Sequence, residues 1–261
     1  MTPLAAAALD AVAGALVAAG RNGSRVPAPS ATLGGLDVEA GYAIQRALVE
    51  RRVAAGESAI GWKVGMASAV GRGAASPGPI YGRLLSGMVV EDGGTLERAR
   101  LHGPHAEGEL AVVLERPLRG PGVTAGDVLA AAAGARPAIE VFATRLDAAA
   151  PAVADMVADN SSSAHFALGG RLTPLDALDL RLCGLVFSRN GAVAGTGAGG
   201  EVGNPAAQVA WLANAAGARG HELRAGDVIL TGALAGAHLA EAGDVFTAEL
   251  DRLGSVSVRF A

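Results

Sequence analysis

The sequence predicts an α+β protein, with a small helical N-terminal region and a larger β-rich body. Three observations predict it. Two amphipathic helical patterns come first; strand-like stretches bounded by Gly, Asn and Asp dominate from Leu84 onward; and only two helical patterns interrupt them. Strands this numerous with so few helices do not alternate as βαβ units, which argues against a doubly wound parallel sheet. The division falls at residues 1–83 and 84–261.

The first helix spans residues 3–19, with Thr2 as N-cap and Pro3 at its first position. This Ala-rich stretch lacks the basic leader of a signal peptide, and Asp10 interrupts it. The apolar run from Ala11 to Gly20 is too short to span a bilayer, so a cytoplasmic, soluble protein is expected. The second helix, 38–55, is capped by Asp37 and sets Ala40, Ile44, Ala47 and Leu48 against Arg46, Glu50 and Arg51. A strand follows at 60–65, then a Gly-, Ser- and Pro-rich loop at 71–78.

In the body, strands are expected at 84–90, 107–114, 136–143, 181–188, 192–196, 227–232, 244–250 and 254–260. Asn190-Gly191 is the signature of a two-residue hairpin turn. Helices are expected at 125–134 and at 205–218, the latter capped by Asn204. The single cysteine, Cys183, excludes an intrachain disulfide and a Cys-rich zinc site; its apolar neighbours predict a buried strand position. A net charge of -4 without a basic stripe argues against a nucleic-acid partner.

The chemistry concentrates in few places. Glu107 and Glu109 lie two apart on one strand and therefore share a face. Like charges so placed either look into solvent along an exposed edge or surround a cation, and the spacing leaves both open. Glu140, between Ile139 and Val141, is a third acid on another strand. Three carboxylates without Cys or a His pair suit Mg²⁺ or Mn²⁺ rather than zinc. Lys63, in Gly61-Trp62-Lys63-Val64-Gly65, is either a buried cation needing an anion or an outward residue of an edge strand. Ala158-Asp159-Asn160-Ser161-Ser162-Ser163 either presents hydroxyls and N–H groups to a carboxylate or is a turn.

Two patterns are set aside. Gly195-x-Gly197-x-x-Gly200 matches a dinucleotide fingerprint formally, but follows a hairpin strand and opens no helix. His102 and His105 would point to opposite faces of a strand.

These residues resemble the 2-keto-4-pentenoate hydratase and 4-oxalocrotonate (2-oxo-3-hexenedioate) decarboxylase family, within the fumarylacetoacetate hydrolase superfamily. Gly61-Trp62-Lys63-Val64-Gly65, Pro79-Ile80-Tyr81-Gly82, Glu107-x-Glu109, Pro137-Ala138-Ile139-Glu140-Val141 with Arg145, and the 158–163 stretch carry the resemblance. So do Gly203-Asn204-Pro205 with 209–214, residues 225–232 and residues 253–260, in register from about residue 36 to the end.

The resemblance implies a mixed β-sandwich roll and a metal-dependent lyase of a small 2-oxo acid, acting through a metal-stabilised dienolate. It implies Glu107, Glu109 and Glu140 as ligands of Mg²⁺ or Mn²⁺ and Lys63 as the catalytic cation. Ser68, Ile80, Tyr81, Asp159, Asn160, Ser162 and Thr231 become substrate-binding candidates. It also implies a homo-oligomer, or a complex of hydratase with decarboxylase. The chain departs from the family pattern at Gly65-Met66-Ala67-Ser68, where a hydroxyl is lost, and at Asn204, which replaces a His.

Hydratases of the family resemble Pro-Asp-Phe-Gly where this chain has Pro79-Ile80-Tyr81-Gly82, the decarboxylase form. Hydration needs a proton relay, which an acid serves. Vinylogous decarboxylation needs an electron sink and a pocket that disfavours the leaving carboxylate. Ile80 fits the second task, so decarboxylation is the expected reaction and hydration the alternative. A carbon–carbon hydrolase would want a His/Glu pair upstream of the metal glutamates, and no His occurs in the chain before His102. A non-catalytic partner subunit would not need Lys63 and all three acids intact.

Overall fold

The structure, a computed structural model, describes residues 6–67 and 78–261. Thr2, Pro3, Ser68 and all but the last residue of the 71–78 loop lie outside the described residues.

The N-terminal helix α1 runs Ala6–Asn22, passing Gly20 before it stops. A short strand β1 (Val26–Pro27) and a one-turn helix α2 (Pro29–Thr32) follow, neither marked by any periodicity in the sequence. Helix α3 (Val38–Ala54) begins where expected, because the Asp37 carboxylate accepts the Ala40 N–H. Strands β2 (Ala59–Gly65), β3 (Ile80–Leu85), β4 (Val89–Val90), β5 (Thr95–Leu96) and β6 (His105–Leu114) come next. Helix α4 (Ala125–Ala131), β7 (Ala132–Phe142), β8 (Leu146–Asp147), helix α5 (Val153–Ala158) and β9 (Ser163–Leu168) continue the chain. It closes with β10 (Gly184–Arg189), β11 (Ala192–Ala198), helix α6 (Pro205–Gly217), β12 (Val228–Leu239), β13 (Val245–Leu250) and β14 (Gly254–Phe260).

Several boundaries differ from expectation. The strand expected at 84–90 is two strands, β3 and β4, separated by a 3-10 turn at Ser86–Met88. Met88 Sδ accepts the Leu85 N–H there, so the ladder breaks locally. The helix expected at 125–134 ends at Ala131, and Ala132 already has extended backbone and opens β7. Cys183 is buried but precedes β10, after a 3-10 turn at Leu180–Leu182. The Asn190-Gly191 hairpin forms, with both residues at positive φ.

A seven-stranded sheet has the order β3-β2-β12-β6-β7-β9-β4, and a five-stranded sheet the order β11-β10-β13-β14-β5. Most ladders are antiparallel; β2 with β12, β4 with β9, β5 with β14 and the separate pair β1 with β8 are parallel. Leu110, Val112, Ile139, Phe187, Phe246, Val256 and Val258 share one apolar core, drawn from both sheets. On the opposite face of β6, Ala111 joins Leu84, Ala138, Phe166 and Leu230 in a second cluster. Strand β6 is therefore covered on both faces, which overturns the exposed-edge reading of Glu107 and Glu109. The result is a mixed α/β fold with curled sheets, the curl aided by register shifts in β12 on either side of Ala233.

The glycines of the 195–200 pattern serve packing. Strand β11 crosses so close to β12 that a Cβ at Gly197 would stand 1.7 Å from the Leu234 carbonyl oxygen. No helix among the described residues is long and apolar enough to cross a membrane.

Candidate metal centre

Adjacent strands at the middle of the seven-stranded sheet bring the acids together. Glu107 stands directly opposite Glu140 in the β6–β7 ladder. Glu109, two residues on, projects from the same face and pairs with Ala233 of β12 on its other side. Each of the three offers an oxygen, and these oxygens lie within 4.8 Å of one another. Glu109 and Glu140 are 0% exposed. Their Oε1 atoms are buried without a hydrogen-bond partner among the described residues. Buried carboxylate oxygens are rarely left unsatisfied, and a hard dication is the group that such a donor set accommodates.

The backbone is shaped to hold Glu109. A register shift in β12 puts Gly232 at φ 108°, and its N–H donates to Glu109 Oε2 at 2.7 Å. That conformation requires glycine. Lys63 reaches the cluster from β2: its Nζ lies 3.1 Å from Glu140 Oε2, and the residue is 4% exposed. Strand β2 lies between β3 and β12, so Lys63 is not the outward residue of an edge strand.

Electrostatics follow from this crowding. Burial raises the Glu107 carboxyl to about 7, with the neighbouring Glu140 adding to the shift and Lys63 opposing it. Burial, then Glu140 and Glu107, push Glu109 well above the usual carboxylate range. Desolvation alone would lower the Lys63 ammonium, but Glu140, Glu107 and Glu109 outweigh it and raise it. Lys63 is thus a retained cation.

A cavity of about 200 Å³ opens beside Lys63 and Glu107. Val64, Ile80, Phe142 and Met156 form apolar walls, and Ser161 and Ser162 are the hydroxyl-bearing residues. Asn160, Ser161 and Ser162 are consecutive residues at positive φ, a costly conformation that tends to persist at functional sites. Gly65 makes room for this turn, since a Cβ there would stand 2.7 Å from Ser161 Oγ.

Of the residues expected from sequence, Lys63, Ile80, Glu107 and Ser162 border the cavity, with Glu109 and Glu140 buried behind. Four others do not line it. Tyr81 alternates with Ile80 on β3, faces the other way and stacks on Tyr42 at 4.3 Å between ring centroids. Asp159 ion-pairs with Arg145, and Asn160 is bound through its amide to the backbone of Arg83. Thr231 Oγ1 donates to the Leu110 carbonyl. Ser68 lies outside the described residues.

Phe142 and Met156 were not expected as walls, and Ser161 was expected only as part of the 158–163 run. Strand alternation places Phe142 on the same face as Glu140 and could have found it; Met156 sits on α5, which gave no periodic signal.

Residues 64–261 match the family model described as fumarylacetoacetate (FAA) hydrolase C-terminal. The chain belongs to the fumarylacetoacetate hydrolase family. Within that family, it is 40% identical to a 2-hydroxyhexa-2,4-dienoate hydratase of Comamonas testosteroni, over 86% of this chain and 87% of that protein. It is 39% identical to a 4-oxalocrotonate decarboxylase of Pseudomonas putida, over 84% of each. Its structure superposes on the 4-oxalocrotonate decarboxylase of Pseudomonas putida G7, solved with magnesium and adipate. The TM-score is 0.95 and the identity 35%, covering 99% of both chains.

Proposed function

We propose that this chain is a divalent-metal-dependent lyase that decarboxylates a 2-oxo-3-hexenedioate-like dicarboxylate in the catabolism of aromatic ring-cleavage products. The observation that carries the choice of reaction is Ile80, which is 3% exposed and borders the cavity holding Lys63 and Glu107. Apart from Glu107, no carboxylic acid lines that cavity among the described residues, so no second acid is at hand for a hydration relay.

Glu107, Glu109 and Glu140 would hold the metal. When bound, Mg²⁺ or Mn²⁺ supplies a Lewis acid toward the substrate's 1-carboxylate and 2-oxo oxygens. Three carboxylates, the Lys63 ammonium and a dication balance to zero, so a dianion enters a site of no net charge. Lys63, held against Glu140, presents its remaining N–H groups to oxygens that gain charge as CO₂ departs. The hydroxyls of Ser161 and Ser162 are donors available to a carboxylate. Val64, Ile80, Phe142 and Met156 exclude water from the distal carboxylate, which raises its ground-state energy. The bonding pair released with CO₂ passes along the conjugated chain toward C2. The same reading takes the two sheets and their common core as a mixed β-sandwich roll.

Hydration of a 2-hydroxydienoate is the second reading, favoured by the 40% identity to a hydratase. A turnover assay with added Mg²⁺ separates them. CO₂ release from a 2-oxo-3-hexenedioate is expected; water addition to a 2-hydroxydienoate with no CO₂ from any 2-oxo dicarboxylate would reverse the choice.

A further inference from the structure

Strands β2 and β3 have a second face. Trp62 alternates with Lys63, and Tyr81 with Ile80, so both aromatics point away from the metal pocket. Behind them lies a cavity of about 730 Å³, continuous through Arg83, His221 and Arg224 with a cleft of about 220 Å³. Arg83, Arg119, His221 and Arg224 line the cleft, with Glu222 as its carboxylate.

Positive charge is in excess here. The acids of the wide cavity are already engaged: Glu39 with Arg219, Glu57 with Arg52 and Glu50 with Arg46. Asp227 lies beneath, accepting the Trp62 indole N–H and the Arg224 backbone N–H. Among the described residues, the guanidinium groups of Arg83, Arg119 and Arg224 make no ion pair and donate no hydrogen bond. The Arg83 guanidinium carbon lies over Trp62, 3.5 Å from the ring centroid, with Nε buried and unpartnered. Desolvation lowers its guanidinium to about 10, Asp227 opposing the shift and Arg224 adding to it. A guanidinium held over a ring and lacking an acceptor can still donate to a planar or tetrahedral oxyanion, which Arg recognises better than Lys. Three arginines lining one cleft with His221, against Glu222 and an occupied Asp227, favour a ligand carrying two negative charges.

We propose that Arg83, Arg119, Arg224 and His221 form a second ligand site, specific for a dianionic phosphate, free or as a phosphomonoester. The wide cavity beside it, walled by Tyr42, Trp62 and Tyr81, receives the organic part of an ester.

The test is calorimetric titration of the Mg²⁺-loaded protein with inorganic phosphate and with phenyl phosphate, at constant ionic strength set by chloride. Arg119 and Arg224 are exposed, so Arg119→Gln and Arg224→Gln leave the fold intact. Each is expected to weaken phosphate binding at least about tenfold, the loss of one charge-assisted contact, without changing turnover in phosphate-free buffer. Lys63→Met is expected to bind phosphate as the parent does. Tighter binding of phenyl phosphate assigns the site to an ester, and equal binding assigns it to the free anion; both support the proposal. It is overturned if neither probe binds at millimolar concentration, if the two arginine variants bind as the parent does, or if Lys63→Met abolishes binding.

Discussion

Glu107 and Glu140 face each other across the β6–β7 ladder, where two like charges would ordinarily destabilise the pair. With Glu109 beside them and buried oxygens unpartnered, the cluster brings together three carboxylates against the single ammonium of Lys63. Glu107→Gln and Glu109→Gln each remove one negative charge from the cluster with almost no change in volume. Both variants should fold and lose Mg²⁺ binding by calorimetry; unchanged affinity in either would remove that residue from the ligand set.

The same crowding predicts a pH dependence. Glu107 is raised from the ordinary carboxylate value to about 7, so between those limits the native state holds more protons than the unfolded chain. Stability of the chelated protein should therefore fall as pH rises through that interval. Metal binding needs the carboxylates ionised, so the gain in Tm on adding Mg²⁺ should be larger at pH 8 than at pH 5. Thermal melts with EDTA and with Mg²⁺ at both pH values check this, and a gain independent of pH would contradict it.

Lys63→Met should cost roughly 3 kcal/mol of transition-state stabilisation, comparable to one preorganised oxyanion donor. Metal affinity should stay the same or rise, because a neighbouring cation is gone. Steady-state kinetics and calorimetry on one preparation measure both, and a near-normal kcat/KM would place Lys63 outside the reaction.

Ile80→Asp introduces a charge on the apolar wall. It should repel the distal carboxylate and depress CO₂ release at least about tenfold, a little over 1 kcal/mol. Following CO₂ release and dienol absorbance in parent and variant tests this; equal decarboxylation would mean that Ile80 does not border the leaving carboxylate.

Much of the site was legible because it lies on strands. Alternation put Glu107 and Glu109 on one face, and the Gly61–Gly65 stretch marked Lys63. What spacing could not give was that β6 lies mid-sheet between β7 and β12, which turns a two-sided ambiguity about the acids into burial. Asp159 and Asn160 belong to a polar run whose sequence does not say which side chains face the cavity. The fold spends those two on Arg145 and on the Arg83 backbone, and leaves Ser161 and Ser162 at the wall. Strand β9 and helix α5 were missed because short segments carry too few apolar repeats to register a period. The break between β3 and β4 depends on a local Met88 contact invisible to any pattern.

The most direct measurement is an anomalous-difference map from crystals grown with Mn²⁺. One strong peak is expected between Glu107, Glu109 and Glu140, at about 2.0–2.2 Å from an oxygen of each, as for hard octahedral cations. A peak elsewhere, or none between these three carboxylates at saturating Mn²⁺, would contradict it.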